Sequence, residues 1–165
     1  MELSSKAKIV VLLSPLVAIC LIWISGREGV ALGYIPVFDL CIITAFLIQW
    51  LAFVPAFIYQ TEHYFDLAGS LTFIGVTAVA LVYGAGSDPR SIIIAMLITV
   101  WALRLGLFLF TRIKLKGSDS RFKDIMPVFS IYLMTWTLQA LWITITVSCA
   151  LIAITSKNKV ALDPW

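Results

Sequence analysis

VFDLCIITAFLIQWLAFVPAFIY, residues 37–59, carries a single charge, Asp39. A helix over that stretch reaches ~34 Å at 1.5 Å per residue, enough to cross a hydrocarbon core of ~30 Å. The run is continuous and does not alternate with period two, which favours a spanning helix over a barrel strand. Four similar blocks flank it, at 8–24, 67–83, 92–113 and 129–154, and together the five fill most of the 165-residue chain. The reading is an all-α, polytopic membrane bundle of about five transmembrane helices in one membrane domain over 1–165. A composition of 61% hydrophobic and 13% charged residues excludes an ordinary soluble domain.

The punctuation between blocks fits that reading. Gly26, Gly29, Gly33 and Pro36 make the first loop, Gly84–Pro89 the third, and Gly117-Ser-Asp-Ser120 lies in the fourth. Pro15 and Pro55 fall inside spans, where they are expected to kink them, and Pro127 is expected to open the fifth. The first block follows two lysines and resembles a signal peptide. It lacks a small-x-small cleavage site and is followed by Arg27, so it reads as a retained span. Trp50, Trp101, Trp136 and Trp142 lie well inside spans, where helix–helix packing is the simplest use for them. Cys20, Cys41 and Cys149 all fall in apolar blocks without ligand spacing and read as small buried hydrophobes.

The net charge of +3 does not point to nucleic acid, because the basic residues are not spread over a soluble face. Arg112, Lys114, Lys116, Arg121 and Lys123 crowd into the fourth loop, the pattern of a cytoplasmic juxtamembrane segment beside anionic lipid headgroups. With five spans, Lys6 and Lys8 share that face, whereas Arg27, Arg90, Lys157 and Lys159 lie on the other. The bias puts the N-terminus in the cytoplasm.

In such a chain, charges and amides inside the spans are the informative residues. Arg104 lies about two turns before Arg112, ~12 Å below the headgroup level, and is expected to face the bundle interior or a wet cavity. There it would either cap a carbonyl or form a cationic floor for an anionic ligand. Gln49 and Gln139 lie at similar depth and are expected to complete a polar layer with it. The segment Thr61-Glu-His-Tyr-Phe-Asp66 concentrates the only histidine, two acids and a tyrosine on the same face as the basic loop. Such groups can polarise a carbonyl or move a proton. The plain alternative makes Asp66 the N-cap of the third span and Glu62 and His63 a solvated turn. One histidine without further ligands makes no metal site, and no Ser-His-Asp set or phosphate-cradling glycine loop is present.

Glu62-x-x-Phe-Asp-Leu-x-Gly-Ser-Leu-Thr-Phe73, Trp101-Ala-Leu-Arg-Leu-Gly106 continuing through Phe110-Thr-Arg-Ile113 to Gly117-Ser-Asp-Ser-Arg-Phe122, and Leu138-Gln-Ala-Leu-Trp142 stand in this order on successive spans. Together, over residues 62–145, they resemble an uncharacterised branch of the steroid 5-alpha-reductase-like (3-oxo-5-alpha-steroid 4-dehydrogenase-like) membrane family. The resemblance implies an all-helical oxidoreductase that uses NADPH to reduce a conjugated carbon–carbon double bond in a steroid or other lipid. A protein acid would polarise the carbonyl as hydride arrives at the far carbon. By position it makes Glu62, Tyr64 and Asp66 the candidates for the polarising group, and Arg104, Arg112 and Arg121 the candidates for cofactor phosphate contacts. Family members continue into helices with an arginine-, histidine- and asparagine-rich cofactor stretch. This sequence ends at Asp163-Pro-Trp165, and its only asparagine is Asn158.

The expectation is therefore the N-terminal part of a reductase-like fold, truncated and inactive alone. The alternative is a non-catalytic lipid-binding or interaction subunit whose uncovered helix faces are closed by a partner chain or a second copy. A carrier or channel would need a polar stripe through the whole membrane depth, and the outer halves of these spans offer mostly threonine and serine. The resemblance places the chain in the endoplasmic reticulum of a eukaryote, or the inner membrane of a bacterium.

Overall fold

A computed structural model describes residues 2–24, 29–84 and 88–158. Arg27, Lys159, Gly26, residues 85–87 and the Asp163-Pro-Trp165 end lie outside the described residues. Five helices carry the fold: α1 (Glu2–Ile24), α2 (Val37–Ile58), α3 (Phe65–Tyr83), α4 (Pro89–Lys116) and α5 (Phe129–Thr155). A two-residue hairpin, β1 (Ala31–Leu32) and β2 (Ile35–Pro36), precedes α2, and a 3-10 turn, η1 (Ser120–Phe122), precedes α5. All five helices are long and apolar enough to cross a membrane.

The helix ends follow local chemistry more closely than the apolar blocks do. Asp88 caps α4: its carboxylate accepts from the Ser91 amide at 3.1 Å and the Ser91 hydroxyl at 2.7 Å, with Pro89 at the first helical position. Gly117 closes the same helix in the left-handed region at φ 81°, where a side chain would be strained. At α3 the expectation fails by two residues. Tyr64, not Asp66, holds the N-cap position, because the Phe65 amide already turns back onto the Glu62 carbonyl and the Ala68 amide onto Tyr64. Pro127 also lies ahead of α5, whose cap is Val128.

α3 sits centrally, packed against α2, α4 and α5, while α1 rests on α5. Polar side chains join these neighbours. Gln49 Nε2 donates to Thr72 Oγ1 at 2.8 Å, Trp50 Nε1 to Thr137 Oγ1 at 3.1 Å, and Cys41 Sγ to the Val76 carbonyl at 3.5 Å. The end opposite the basic loop is closed by Val30 donating to the Thr155 carbonyl and Arg90 to that of Ala153. Of the four mid-span tryptophans, Trp136 is fully buried and Trp101 packs edge-on against Phe73, but Trp142 is 67% exposed. Only Cys41 is buried, whereas Cys20 and Cys149 are exposed on their helices, so two of the three cysteines depart from the buried reading.

The α3–α4 contact is close because α4 presents Ala95, Ala102 and Gly106 to it. A Cβ on Gly106 would stand 2.6 Å from Ser70 Oγ and 2.7 Å from its Cβ, and Ser70 is itself buried. Gly106→Ala is therefore expected to force the helices apart and cost roughly 1–3 kcal/mol, measured as a lower thermal midpoint in detergent.

The same packing explains where Arg104 goes. It lies two residues from Ala102, ~200° around the helix, so it is exposed on the far side of α4. The expected polar layer does not assemble. Gln49 is spent on Thr72 and Gln139 on the Phe65 carbonyl, and no hydrogen bond or ion pair reaches Arg104 from the described residues.

Candidate functional site

The end of the bundle bearing the basic loop is tied together by residues 61–66. Tyr132 Oη donates to the Thr61 carbonyl at 2.6 Å, and Tyr64 Oη to that of Ala52 at 3.0 Å. His63 Nε2 donates to the Gly117 carbonyl at 2.9 Å, and Nδ1 is hydrogen-bonded to the Thr61 hydroxyl at 2.8 Å. Glu62, only 4% exposed, accepts the Asp119 amide at 2.9 Å. Beneath this clasp, Trp136 packs against Tyr64, Phe65 and Tyr132, and Phe122 against Phe65.

Asp119 is the electrostatic hinge of the fourth loop. Its carboxylate accepts the Arg121 amide at 3.0 Å and takes the Arg121 guanidinium as a fork. Hydrogen bonding from Arg121 holds the Asp119 carboxyl below the usual range, and Asp119 in turn pushes the guanidinium up. A folded-state value below the unfolded one, ~3.9, stabilises the fold above that pH and ceases to do so as pH falls through the folded value. Hydrogen exchange at the Arg121 amide should therefore be slow at neutral pH and lose protection only below about pH 4.

Next to the clasp, α4 and α5 diverge over α3 and leave a groove of about 490 Å3. Its walls are apolar, including Leu105, Leu109, Leu138 and Trp142, and its polar end is made by Asp66, Ser70 and Gln139. Gln139 Nε2 donates to the Phe65 carbonyl at 3.2 Å, across Gly69. A Cβ at position 69 would come within 2.2 Å of that nitrogen, so Gly69 is what lets the amide lie there. Of the three buried side-chain oxygens without a hydrogen-bond partner among the described residues, Asp66 Oδ2 and Gln139 Oε1 belong to this groove and Gln49 Oε1 does not. Arg112 approaches Asp66 only to 3.9 Å, too far for a hydrogen bond.

The six residues singled out from sequence thus separate into four placements. Glu62 and Tyr64 are committed to backbone partners in the clasp, and burial raises the Tyr64 phenol, which keeps it a neutral donor. Asp66 lies in the groove, with Arg112 beside it. Arg112 and Arg121 also line a second hollow of about 330 Å3 with Lys116, Ser118, Asp119 and Ser120. Arg104 belongs to neither. Sequence reasoning gave Trp142 to helix–helix packing and assigned Gly69 and Ser70 no part in a site; the available signal was the Gly-Ser pair inside a span. No cluster of three His, Cys, Asp or Glu side chains able to hold a metal occurs among the described residues.

A family model described as "Protein of unknown function (DUF1295)" matches residues 52–165, which include α3, α4, α5 and both hollows. No curated protein and no solved structure matches the chain.

Proposed function

From the premise that this chain belongs to the DUF1295 family, we propose that it binds an amphipathic lipid of steroid-like size in the groove between α4 and α5. The observation that carries this reading is a pair of buried acceptors without a hydrogen-bond partner, Asp66 Oδ2, which has Arg112 at 3.9 Å, and Gln139 Oε1, at one end of an otherwise apolar groove. A buried acceptor left unmade costs about 1–3 kcal/mol, and a ligand hydroxyl would meet that need while its apolar body lies against Leu105, Leu109 and Leu138. The groove end nearest the basic loop is proposed to face the cytoplasm, in the endoplasmic reticulum of a eukaryote or the inner membrane of a bacterium.

The test uses the fluorescent sterol dehydroergosterol and purified protein in detergent micelles, with tryptophan quenching as the signal, because Trp142 lines the groove. Saturable binding is expected, weakened about tenfold in Gln139→Leu, the equivalent of one hydrogen bond. A sterol ring system lacking the hydroxyl should bind as poorly to the native protein as dehydroergosterol does to the variant. Equal binding with and without the hydroxyl would sink the reading.

A second reading, reduction of a conjugated double bond in that ligand, is favoured by Asp66. It is the one resemblance-implied acid that lines the groove, where it could act on a ligand carbonyl. For NADPH the described residues offer a basic hollow in which Arg121 is already forked onto Asp119, and this reading needs a further cradle for the bases of the cofactor. NADPH-dependent loss of enone absorbance, abolished in Asp66→Asn, would support it, whereas loss unaffected by the substitution would count against Asp66.

A further inference from the structure

On the other side of Arg112 the fold builds a site that the groove does not use. Arg112, Lys116, Ser118, Ser120 and Arg121 surround the hollow of about 330 Å3, with Asp119 the only acid lining it. That acid is neutralised by the Arg121 fork, so its charge does not repel an incoming anion. The walls are also held in place. Glu62 grips the Asp119 amide and His63 the Gly117 carbonyl, which fixes the fourth loop against residues 61–63 before any ligand arrives. Arg112 and Lys116 come from the last turns of α4, at the level where a spanning helix leaves the hydrocarbon.

Arg112 lines a second feature as well. A shallow apolar track of about 480 Å3 runs down the outer face of α4 along Leu107, Phe108, Thr111 and Leu115, and it meets the hollow at Arg112. Leu107, Phe108 and Leu115 are all more than half exposed. A cationic hollow continuous with an apolar track on a membrane-facing helix matches one chemistry: a phosphate head with an acyl chain attached.

We infer that Arg112, Lys116, Ser118 and Ser120 in this hollow hold the phosphate of an anionic phospholipid, with one acyl chain laid along Leu107, Phe108 and Leu115. This site lies beyond the groove's polar end, where Arg112 stands 3.9 Å from Asp66, and it does not rest on the sterol reading. Lys114 and Lys123 belong to the same basic segment but line neither feature, which makes them the internal control.

The experiment is native mass spectrometry of the full chain released from nanodiscs containing equal phosphatidylglycerol and phosphatidylcholine. One retained phosphatidylglycerol per chain is expected. Arg112→Gln with Lys116→Gln should lower its retention roughly tenfold, while Lys114→Gln with Lys123→Gln should leave it nearly unchanged. On the unaltered protein, raising the salt concentration should lower the preference for phosphatidylglycerol, a readout independent of how well any variant folds. Inorganic phosphate in large excess should not displace the lipid; displacement would mean the hollow takes a free phosphate and would overturn the acyl assignment. Equal retention of both lipids, or equal loss in both double variants, would show diffuse surface charge and no site.

Discussion

Replacing Trp136 by alanine is expected to cost about 3 kcal/mol and to lower the thermal midpoint in detergent more than any other single tryptophan change. The indole is completely buried and touches Tyr64, Phe65 and Tyr132, which come from both sides of the clasp. In lipid the transfer part of the usual large-to-small cost shrinks, since the surroundings are as apolar as the core, but the lost contacts and the cavity remain. The damage should also reach the groove. Phe65 leans on Trp136, and its carbonyl is what positions the Gln139 amide. Trp142→Ala is the matched comparison: its indole is 67% exposed, so stability should change little while the groove loses part of its wall. Equal destabilisation by the two substitutions would contradict this account of the core.

Arg104→Leu is expected to make membrane insertion of α4 more favourable by about 3 kcal/mol, the approximate difference between arginine and leucine at the centre of a span. An arginine in the interior, paired with a carbonyl or an acid, would behave in the opposite way, because its loss would strand a buried partner. Here the side chain stands on the exposed face of α4, opposite Ala102, with no partner among the described residues. The check is the inserted fraction of α4 in a glycosylation-mapped translocon assay, together with the thermal midpoint of the whole protein. Insertion should rise and the midpoint should not fall. A clear fall in the midpoint would place the guanidinium in a structural contact.

These two residues mark how far the fold could be read in advance. The spans were legible because continuous apolar length is a sufficient signal in a bilayer, and α2 at Val37–Ile58 falls where residues 37–59 place it. The inward face of each helix was not. In a helix apolar all round, no polar stripe separates lipid from interior, so polarity pointed Arg104 inward. The side that actually packs is marked by size: Ala95, Ala102 and Gly106 let α4 approach α3, and the arginine falls on the other side by helical phase.

The site was legible in part for a related reason. The concentration of Glu62, His63, Tyr64 and Asp66 did single out a real structural centre. Residue types alone could not divide its labour, because the deciding partners lie far along the chain. Glu62 is claimed by Asp119, His63 by Gly117 and Tyr132 by Thr61, which leaves Asp66 to the groove. Gln139 was noticed for its depth, but its role depends on Gly69 leaving room for the amide, and the Gly69-Ser70 pair in the sequence does not say which distant side chain fills that room.

The most direct test of the central claim is a photo-crosslinking map with a diazirine-bearing, hydroxylated sterol in proteoliposomes, followed by peptide sequencing. The account predicts adducts on Leu105, Leu109, Leu138 and Trp142, suppressed by excess unlabelled sterol and weakened by Gln139→Leu. Adducts scattered over α1 and the outer face of α4, unaffected by competitor or substitution, would contradict it.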